Sequence, residues 1–348
     1  GLENDLVWFR PDVSLNPGVT YTLHISSGVR DFAGNALGEE VATSFTTATP
    51  LDPVTLVSRP QAFSSYSPMA LAMSPDNALL AVSNRWQDKV TLLNPTTMWP
   101  TAPLIPTGDE PKGLVFSNDG SLLYIAHDGT DSLVVLDVAT RQVQQTFTGL
   151  VDAEMVVLSP DGTMAYVTGY TGGGVDLIDL SSGQVIPQWH VLDRPGQPVF
   201  APDGTLYVPA FNRLWRYNDD GTWTDLYMGG YYTLDIAISP DGRYAFLSQP
   251  SMDRLQIIDL YLWQVVASLS VPDDPRQMAL SSDGRVLVMV STGAGAIQVV
   301  DILTLTTLNT TFMPGSSPLS LAWDEADDWL FVGNLSGFQV SSFDFVYP

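Results

Sequence analysis

The sequence predicts an all-β chain built as a seven-bladed β-propeller, and three observations predict it. A short phrase recurs seven times: an apolar run, a Ser-Pro-Asp-Gly-like turn, then a second apolar run. The turns read Ser74-Pro75-Asp76-Asn77, Ser117-Asn118-Asp119-Gly120, Ser159-Pro160-Asp161-Gly162, Ala201-Pro202-Asp203-Gly204, Ser239-Pro240-Asp241-Gly242 and Ser281-Ser282-Asp283-Gly284, then a degenerate Asp324-Glu325-Ala326-Asp327-Asp328. Their aspartates lie 43, 42, 42, 38 and 42 residues apart. A strand-rich period in the low forties is the mark of propeller blades, none of which can bury both faces without neighbours. A second phrase, apolar-apolar-Asp-apolar, recurs in most repeats at Asp137, Asp179, Asp259 and Asp301, with Asn94, Asn218 and Asp344 at or near the same place.

Each repeat divides into four short strands. In the third these are Met155–Leu158, Met164–Thr168, Val175–Leu180 and Val185–Trp189. Pro at the first turn position presets φ, the Asp bonds its own backbone, and Gly accepts the left-handed conformation. Asn77 stands in for that Gly in the first repeat, as the next-best left-handed residue. The recurring third-strand Asp is expected to cap free N–H groups of the following turn; a catalytic group would not be needed in nearly every blade. The last repeat supplies only three strands, through Gly337–Phe345. Val54–Ser58 is expected to add its fourth and so close the ring without an open edge.

Residues 1–48 have a different character. Leu6–Phe9, Val19–Ile25 and Val41–Thr47 alternate like strands, and a Pro-bearing linker over 49–53 separates them from the propeller at 54–348. Three strands leave one sheet face wet, so an upstream segment or another chain is expected to complete this unit. The start at Gly1 rather than Met reads as processing or a fragment.

Two resemblances carry further expectations. Leu15, Pro17, Gly18, Tyr21 and Ile25, then Asp31, Ala33, Gly34, Asn35 and Leu37, then Phe45, Thr46 and Thr47 match the pattern of bacterial Ig-like domains of surface-layer and cell-wall proteins, over the C-terminal half of such a domain. Met155–Val167 and Ile236–Gly242 resemble the blades of the YVTN family of seven-bladed propellers, over about residues 54–345. The first resemblance implies a partial Ig-like β-sandwich and an extracellular or cell-surface bacterial location. The second implies the fold without settling function, since related propellers include surface modules, lactonases and cofactor enzymes.

Composition narrows the functions. Among 348 residues, 38 are acidic and 14 basic, a net charge of −24, and only Lys89 and Lys112 are lysines. Such a surface repels phosphate backbones, which argues against nucleic acid, and favours cations or basic partners. No stretch approaches about 18 consecutive apolar residues, so no membrane span is expected. The chain has no cysteine, which excludes disulfides and thiolate chemistry. Its three histidines, His24, His127 and His190, fall in separate elements, against a copper, zinc or haem cluster. No cofactor is expected. A structural calcium stays open at the acidic loops 127–131, 219–221 and 324–328, though turn roles lead and none has EF-hand spacing.

Stacking the repeats gives a rim position before each inner strand: Ser67, Glu110, Asp152, Arg194, Tyr232, Asp274 and Ser317. Two residues on stand Met69, Lys112, Glu154, Gly196, Leu234, Arg276 and Leu319. Unlike the turn aspartates, these vary from blade to blade, as a specific pocket requires and as a rim of ion pairs also would. Aromatics collect in loops of the same face, at Tyr66, Trp86, Tyr170, Phe211, Tyr231 and Tyr232, and flat rings suit sugar stacking or a protein hot spot. The candidate ligand-binding residues are Glu110, Lys112, Asp152, Glu154, Arg194, Tyr232, Asp235, Asp274, Arg276, Tyr66 and Trp86. No nucleophile elbow or phosphate loop is present, so no residue is assigned a catalytic role. The leading reading is a non-catalytic module recognising a protein or glycan. A lactonase- or lyase-like enzyme acting on a sugar acid at the channel mouth is the first alternative; a structural unit of a surface polymer is the second.

Overall fold

The computed structural model describes residues 15–346 except 31–35, 37, 65–66, 172, 219, 230–231, 314–315, 325 and 327. The expected strand Leu6–Phe9 lies outside the described residues, as do Tyr66 and Tyr231. Strands alternate in direction within seven sheets, which are the predicted blades. Blade three runs Met155–Leu158, Met164–Gly169, Gly174–Asp179 and Val185–Val191, within two residues of the sequence reading. Blade four is the shortest at its centre, with an inner strand of only Val199–Phe200.

The turn chemistry explains why the phrase repeats. In the Ser-x-Asp turns the serine hydroxyl donates to the aspartate, as from Ser74 to Asp76 at 2.6 Å and from Ser239 to Asp241 at 2.6 Å. The same hydroxyl oxygen accepts the N–H of the residue that opens or just precedes the second strand, Tyr244 or Leu79. The carboxylate accepts one further backbone N–H, from Ala78 or Arg243. Three groups thus satisfy one another within a six-residue hairpin. Donation from Ser117 holds the exposed Asp119 carboxyl down to about 2, the direction expected when hydrogen bonds favour the charged form. Asn77 takes φ +56°, as its substitution for Gly requires. The third-strand carboxylates cap as expected: Asp137 accepts from Thr140 N at 2.7 Å and Asp179 from both Ser181 N and Ser182 N.

The core is not inside the blades but between them. Seven apolar clusters are each shared by two adjacent sheets. Leu123, Ile125 and Leu136 of blade two, for example, meet Ala81, Val90 and Leu92 of blade one. Each fully buried Leu or Ile contributes about 1.5–3 kcal/mol relative to exposure, and its cluster includes residues of the neighbouring blade. The ring closes where expected. Thr55–Ser64 pairs antiparallel with Gln339–Val346, with Leu56 opposite Phe345 and Ser58 opposite Phe343. Val54 and Leu56 then join the cluster between blades six and seven.

Upstream of the seam, Leu51 N donates to Asp301 of blade six at 3.0 Å, and Arg285 donates to the Thr49 carbonyl. Before that linker, Thr20–Ile25 and Val41–Thr46 form an antiparallel hairpin with Tyr21 and Phe45 stacked at 6.0 Å. Val41 and Phe45 are exposed. Among the described residues, no helix is long and apolar enough to cross a membrane.

The inner strands approach so closely that glycine is required. A methyl group at Gly196 would collide with the Leu234 carbonyl of blade five, and one at Gly113 would lie 2.7 Å from the Glu154 carbonyl. Gly196→Ala should therefore destabilise the ring by about 1–3 kcal/mol, the usual cost of overpacking. The check is a lowered midpoint in urea unfolding at unchanged slope.

Candidate functional site

The rim of the channel is made by backbone conformation before it is made by side chains. Ser67, Glu110, Asp152, Arg194 and Asp274 all have positive φ, between 50° and 63°. A non-glycine residue held there costs about 1–2 kcal/mol, so something must hold it. At three of the five positions that something is an aspartate in the preceding blade's second-to-third-strand turn. Asp88 accepts the N–H of Glu110 at 3.0 Å, Asp131 that of Asp152 at 2.9 Å, and Asp253 that of Asp274 at 3.0 Å. Asp88 and Asp253 escaped the sequence reading, and Asp131 entered it only as part of the acidic loop 127–131. Their signal was there: each stands just before a third strand, as in Asp88-Lys89, Asp131-Ser132 and Asp253-Arg254.

On this frame the predicted rim residues separate into groups. Glu110 pairs with Arg85 at 2.6 Å. Lys112, buried beneath the rim, bridges Asp128 at 2.8 Å and Glu154. Asp128, Asp152 and Glu154 offer carboxylate oxygens all within 4.8 Å of one another, and the Lys112 ammonium sits against two of the three. Burial raises the pKa of Asp128, an effect opposed by Lys112 and reinforced by Asp152. Burial likewise raises that of Glu154. Lys112 is the internal counter-ion that lets three acids share one spot. Asp152 also accepts the Thr171 N–H. Arg85 was not among the sequence candidates, because its partner Glu110 belongs to the next blade. Asp128 was read only as part of the acidic loop 127–131, not as a partner of Lys112.

A cavity of about 510 Å³ opens at the channel, lined on its polar side by Glu154, Gln197, Tyr232, Asp235, Arg276 and Gln277. Four predicted residues, Glu154, Tyr232, Asp235 and Arg276, therefore share one space. Glu110, Lys112, Asp152, Arg194 and Asp274 do not line it. Trp86 is 63 % exposed and leans on Phe338 at 5.9 Å, between blades one and seven. Four of the sequence candidates thus share the cavity, five others and Trp86 do not line it, and Tyr66 lies outside the described residues. Several rim charges are paired with neighbours: Glu110 with Arg85, Lys112 with Asp128 and Glu154, and Asp274 with Arg276.

Within the cavity, Tyr232 meets Tyr170 edge to face at 5.5 Å, and Arg194 lies over Tyr170 at 5.7 Å and over Phe211 at 5.4 Å. Burial pushes the Tyr232 phenol up, keeping it a neutral donor. Arg276 donates to Asp274 at 2.9 Å, while its Nε is buried without an acceptor among the described residues. Asp235 accepts the Met278 N–H at 2.7 Å across the blade interface, and Gln277 accepts that of Leu321 at 2.8 Å. Burial pushes the Asp235 carboxyl up to about 7. His127 is also buried, bonded through Nδ1 to the Ile125 carbonyl and through Nε2 to Thr107. It serves packing, and burial lowers it to about 4.

These findings agree with relatives recognised by sequence and by shape. Residues 46–186 match the YNCE-like beta-propeller family and residues 2–47 the bacterial Ig-like domain family. The chain is a seven-bladed propeller repeat protein preceded by the C-terminal part of a bacterial Ig-like domain. Among solved structures, Kuenenia stuttgartiensis hydrazine synthase superposes with a TM-score of 0.74 at 18% identity, covering 83% of this chain and 99% of that one. At that identity the likeness concerns the propeller fold alone. No curated protein matches the sequence significantly.

Two measurements probe the site's electrostatics. Asp235 keeps its proton in the folded state up to about pH 7, whereas an unfolded aspartate releases it near 3.8. Its burial therefore costs nothing below that lower value, costs progressively more up to about 7, and is constant above. Asp235→Asn should raise the melting temperature relative to the parent at pH 8 and change it little at pH 4. Lys112→Met leaves Asp128 and Glu154 without their cation and should cost about 3–5 kcal/mol at pH 7. That deficit should shrink towards pH 4 as the carboxylates protonate, which chemical denaturation at the two pH values will read.

Proposed function

We propose that the protein is a non-catalytic, surface-associated bacterial module that recognises a protein or glycan ligand at the mouth of the propeller channel. The Ig-like segment supports the surface location, because it matches a bacterial family whose resemblance to surface-layer and cell-wall domains is carried by residues 15–47. The observation that carries the binding role is Arg276. Its Nε is a buried donor with no acceptor among the described residues, and Arg276 lines the 510 Å³ cavity together with Tyr170 and Tyr232. Buried donors are nearly always satisfied in folded proteins, and one left open beside two aromatic rings is the arrangement a ligand oxygen completes. Tyr232 supplies a neutral hydroxyl and a ring edge, and Glu154 a second acceptor. The varied charges of the mouth set which ligand fits.

One observation favours a second reading. Asp235, with its carboxyl near 7, stands in the same cavity as Arg276, and an acid poised there suits proton transfer to a sugar acid held by the guanidinium. Against it, the Asp235 oxygen is already committed to the Met278 N–H.

Glycan and peptide arrays probed with the parent, Arg276→Ala and Tyr232→Ala decide between these. Binding that falls at least tenfold in both variants supports the module reading. Binding indifferent to both substitutions, or none on either array, overturns it. Turnover of a uronic-acid lactone or oligouronide that Asp235→Asn abolishes would replace it with the enzyme.

A further inference from the structure

The opposite face of the ring, where the Ser-Pro-Asp-Gly hairpins lie, carries a second cavity that the channel mouth does not involve. It occupies about 260 Å³ between blades four and five, and its walls include Asp203, Tyr207, Arg216, Tyr217, Asn218 and Tyr261. Three departures from the repeat create it. Ala201 replaces the serine of the other hairpins, and this hairpin is one residue shorter, since Ala201 to Leu206 spans what Ser159 to Ala165 spans in blade three. The third departure is Arg216 itself. Two residues before the third-strand Asp or Asn, five other blades place the buried apolar residues Leu92, Val135, Leu177, Ile257 and Val299, and blade seven places the small Ser342. Blade four puts a guanidinium there.

That guanidinium is held but not neutralised. It lies 4.7 Å over the Trp263 ring of blade five, and its Nε donates to Asn218 Oδ1 at 3.0 Å. Among the described residues no carboxylate lies within ion-pair distance of it, whereas Arg59, Arg85, Arg213, Arg243, Arg276 and Arg285 each have one. Arg141 and Arg194 also lack one, but both are exposed. In a chain with 38 acidic side chains, a half-buried arginine without a carboxylate, where an aliphatic residue would pack, is a place made for an outside anion. The surroundings narrow the class. Tyr207, Tyr217 and Tyr261 present rings, and Asn218 and Asp203 present amide and carboxylate oxygens, the mixture that grips the faces and hydroxyls of a sugar. The volume, below the usual range for drug-sized ligands, admits one ring.

We propose that the cleft between blades four and five binds a single carboxylate-bearing sugar unit, a uronic acid, with the fork of Arg216 on the carboxylate and the tyrosines against the ring. A planar guanidinium pairs with a carboxylate through two parallel hydrogen bonds, which an ammonium cannot reproduce. The site is independent of the channel-mouth reading and stands if that fails.

The test is saturation-transfer NMR with methyl glucuronide and methyl glucoside at millimolar concentration. The parent should bind the glucuronide at least tenfold more tightly than the glucoside, with affinity falling as salt rises. Arg216→Leu restores the residue type of most other blades, so it should fold with an undiminished melting temperature and lose the glucuronide signal. Arg216→Lys, which keeps charge but not the fork, should bind at least fivefold more weakly than the parent. Arg276→Ala should leave the signal intact, which separates this cleft from the channel mouth. An absent glucuronide signal in the parent, equal affinity for the two sugars, or binding retained by Arg216→Leu would each overturn the proposal.

Discussion

Everything in this molecule depends on how closely neighbouring blades approach at the ring's centre. The inner strands are near enough that Gly113 and Gly196 leave no room for a Cβ against the next blade's backbone. At that distance side chains of one inner strand satisfy the main chain of the next, as Asp235 does for Met278 and Gln277 for Leu321. Second-strand hydroxyls do the same, with Ser83 donating to the Lys112 carbonyl and Thr168 to that of Gly196. Inter-blade apolar clusters then fill the space outward. The blade is therefore a unit of sequence but not of stability, which resides in the seven interfaces and falls if any one is lost.

The same closeness shapes the chemistry. Because Glu110, Asp152 and Asp274 hang from left-handed backbone positions tied to the previous blade, charges at the rim find protein partners close at hand before they find a ligand. Glu110 with Arg85, and Lys112 among its acids, are absorbed in this way. What remains for recognition is the part of the ring where aromatic groups interrupt the exchange of charges: Tyr170, Tyr232 and the partly satisfied Arg276.

The fold was legible in the sequence because its determinants are local and repeated. A Ser-x-Asp hairpin satisfies its own hydrogen bonds within six residues, so each copy announces itself, and even the seam strand followed from counting strands. The site was legible only in part. The stacked repeats located Glu154, Tyr232, Asp235 and Arg276, which do share a cavity, but could not separate them from Glu110, Asp274 or Trp86, which do not. That distinction depends on side-chain contacts between residues far apart in the chain. Arg85 was missed because it pairs with Glu110 of the next blade, 25 positions on, and the role of Asp128 because it depends on Lys112 and Glu154 meeting it in the folded ring. Arg216 was missed for a different reason: its meaning lies in the contrast with Leu92, Val135, Leu177, Ile257 and Val299, and that contrast appears only when third strands are aligned by their packing.

The linker contacts at Thr49 and Leu51 bear on how the protein would carry a load. Tension arriving through the N-terminal hairpin meets Arg285 and Asp301 of blade six before it reaches the strand that completes blade seven. Because that strand starts opposite Val346, pulling directly on its first residue would peel its hydrogen bonds one at a time, the weakest way to oppose a force. The bonds to blade six relieve it, spreading the strain onto a sheet whose four strands are already complete. With its closure so guarded, the ring can bear tension from its N-terminal side while it stays shut.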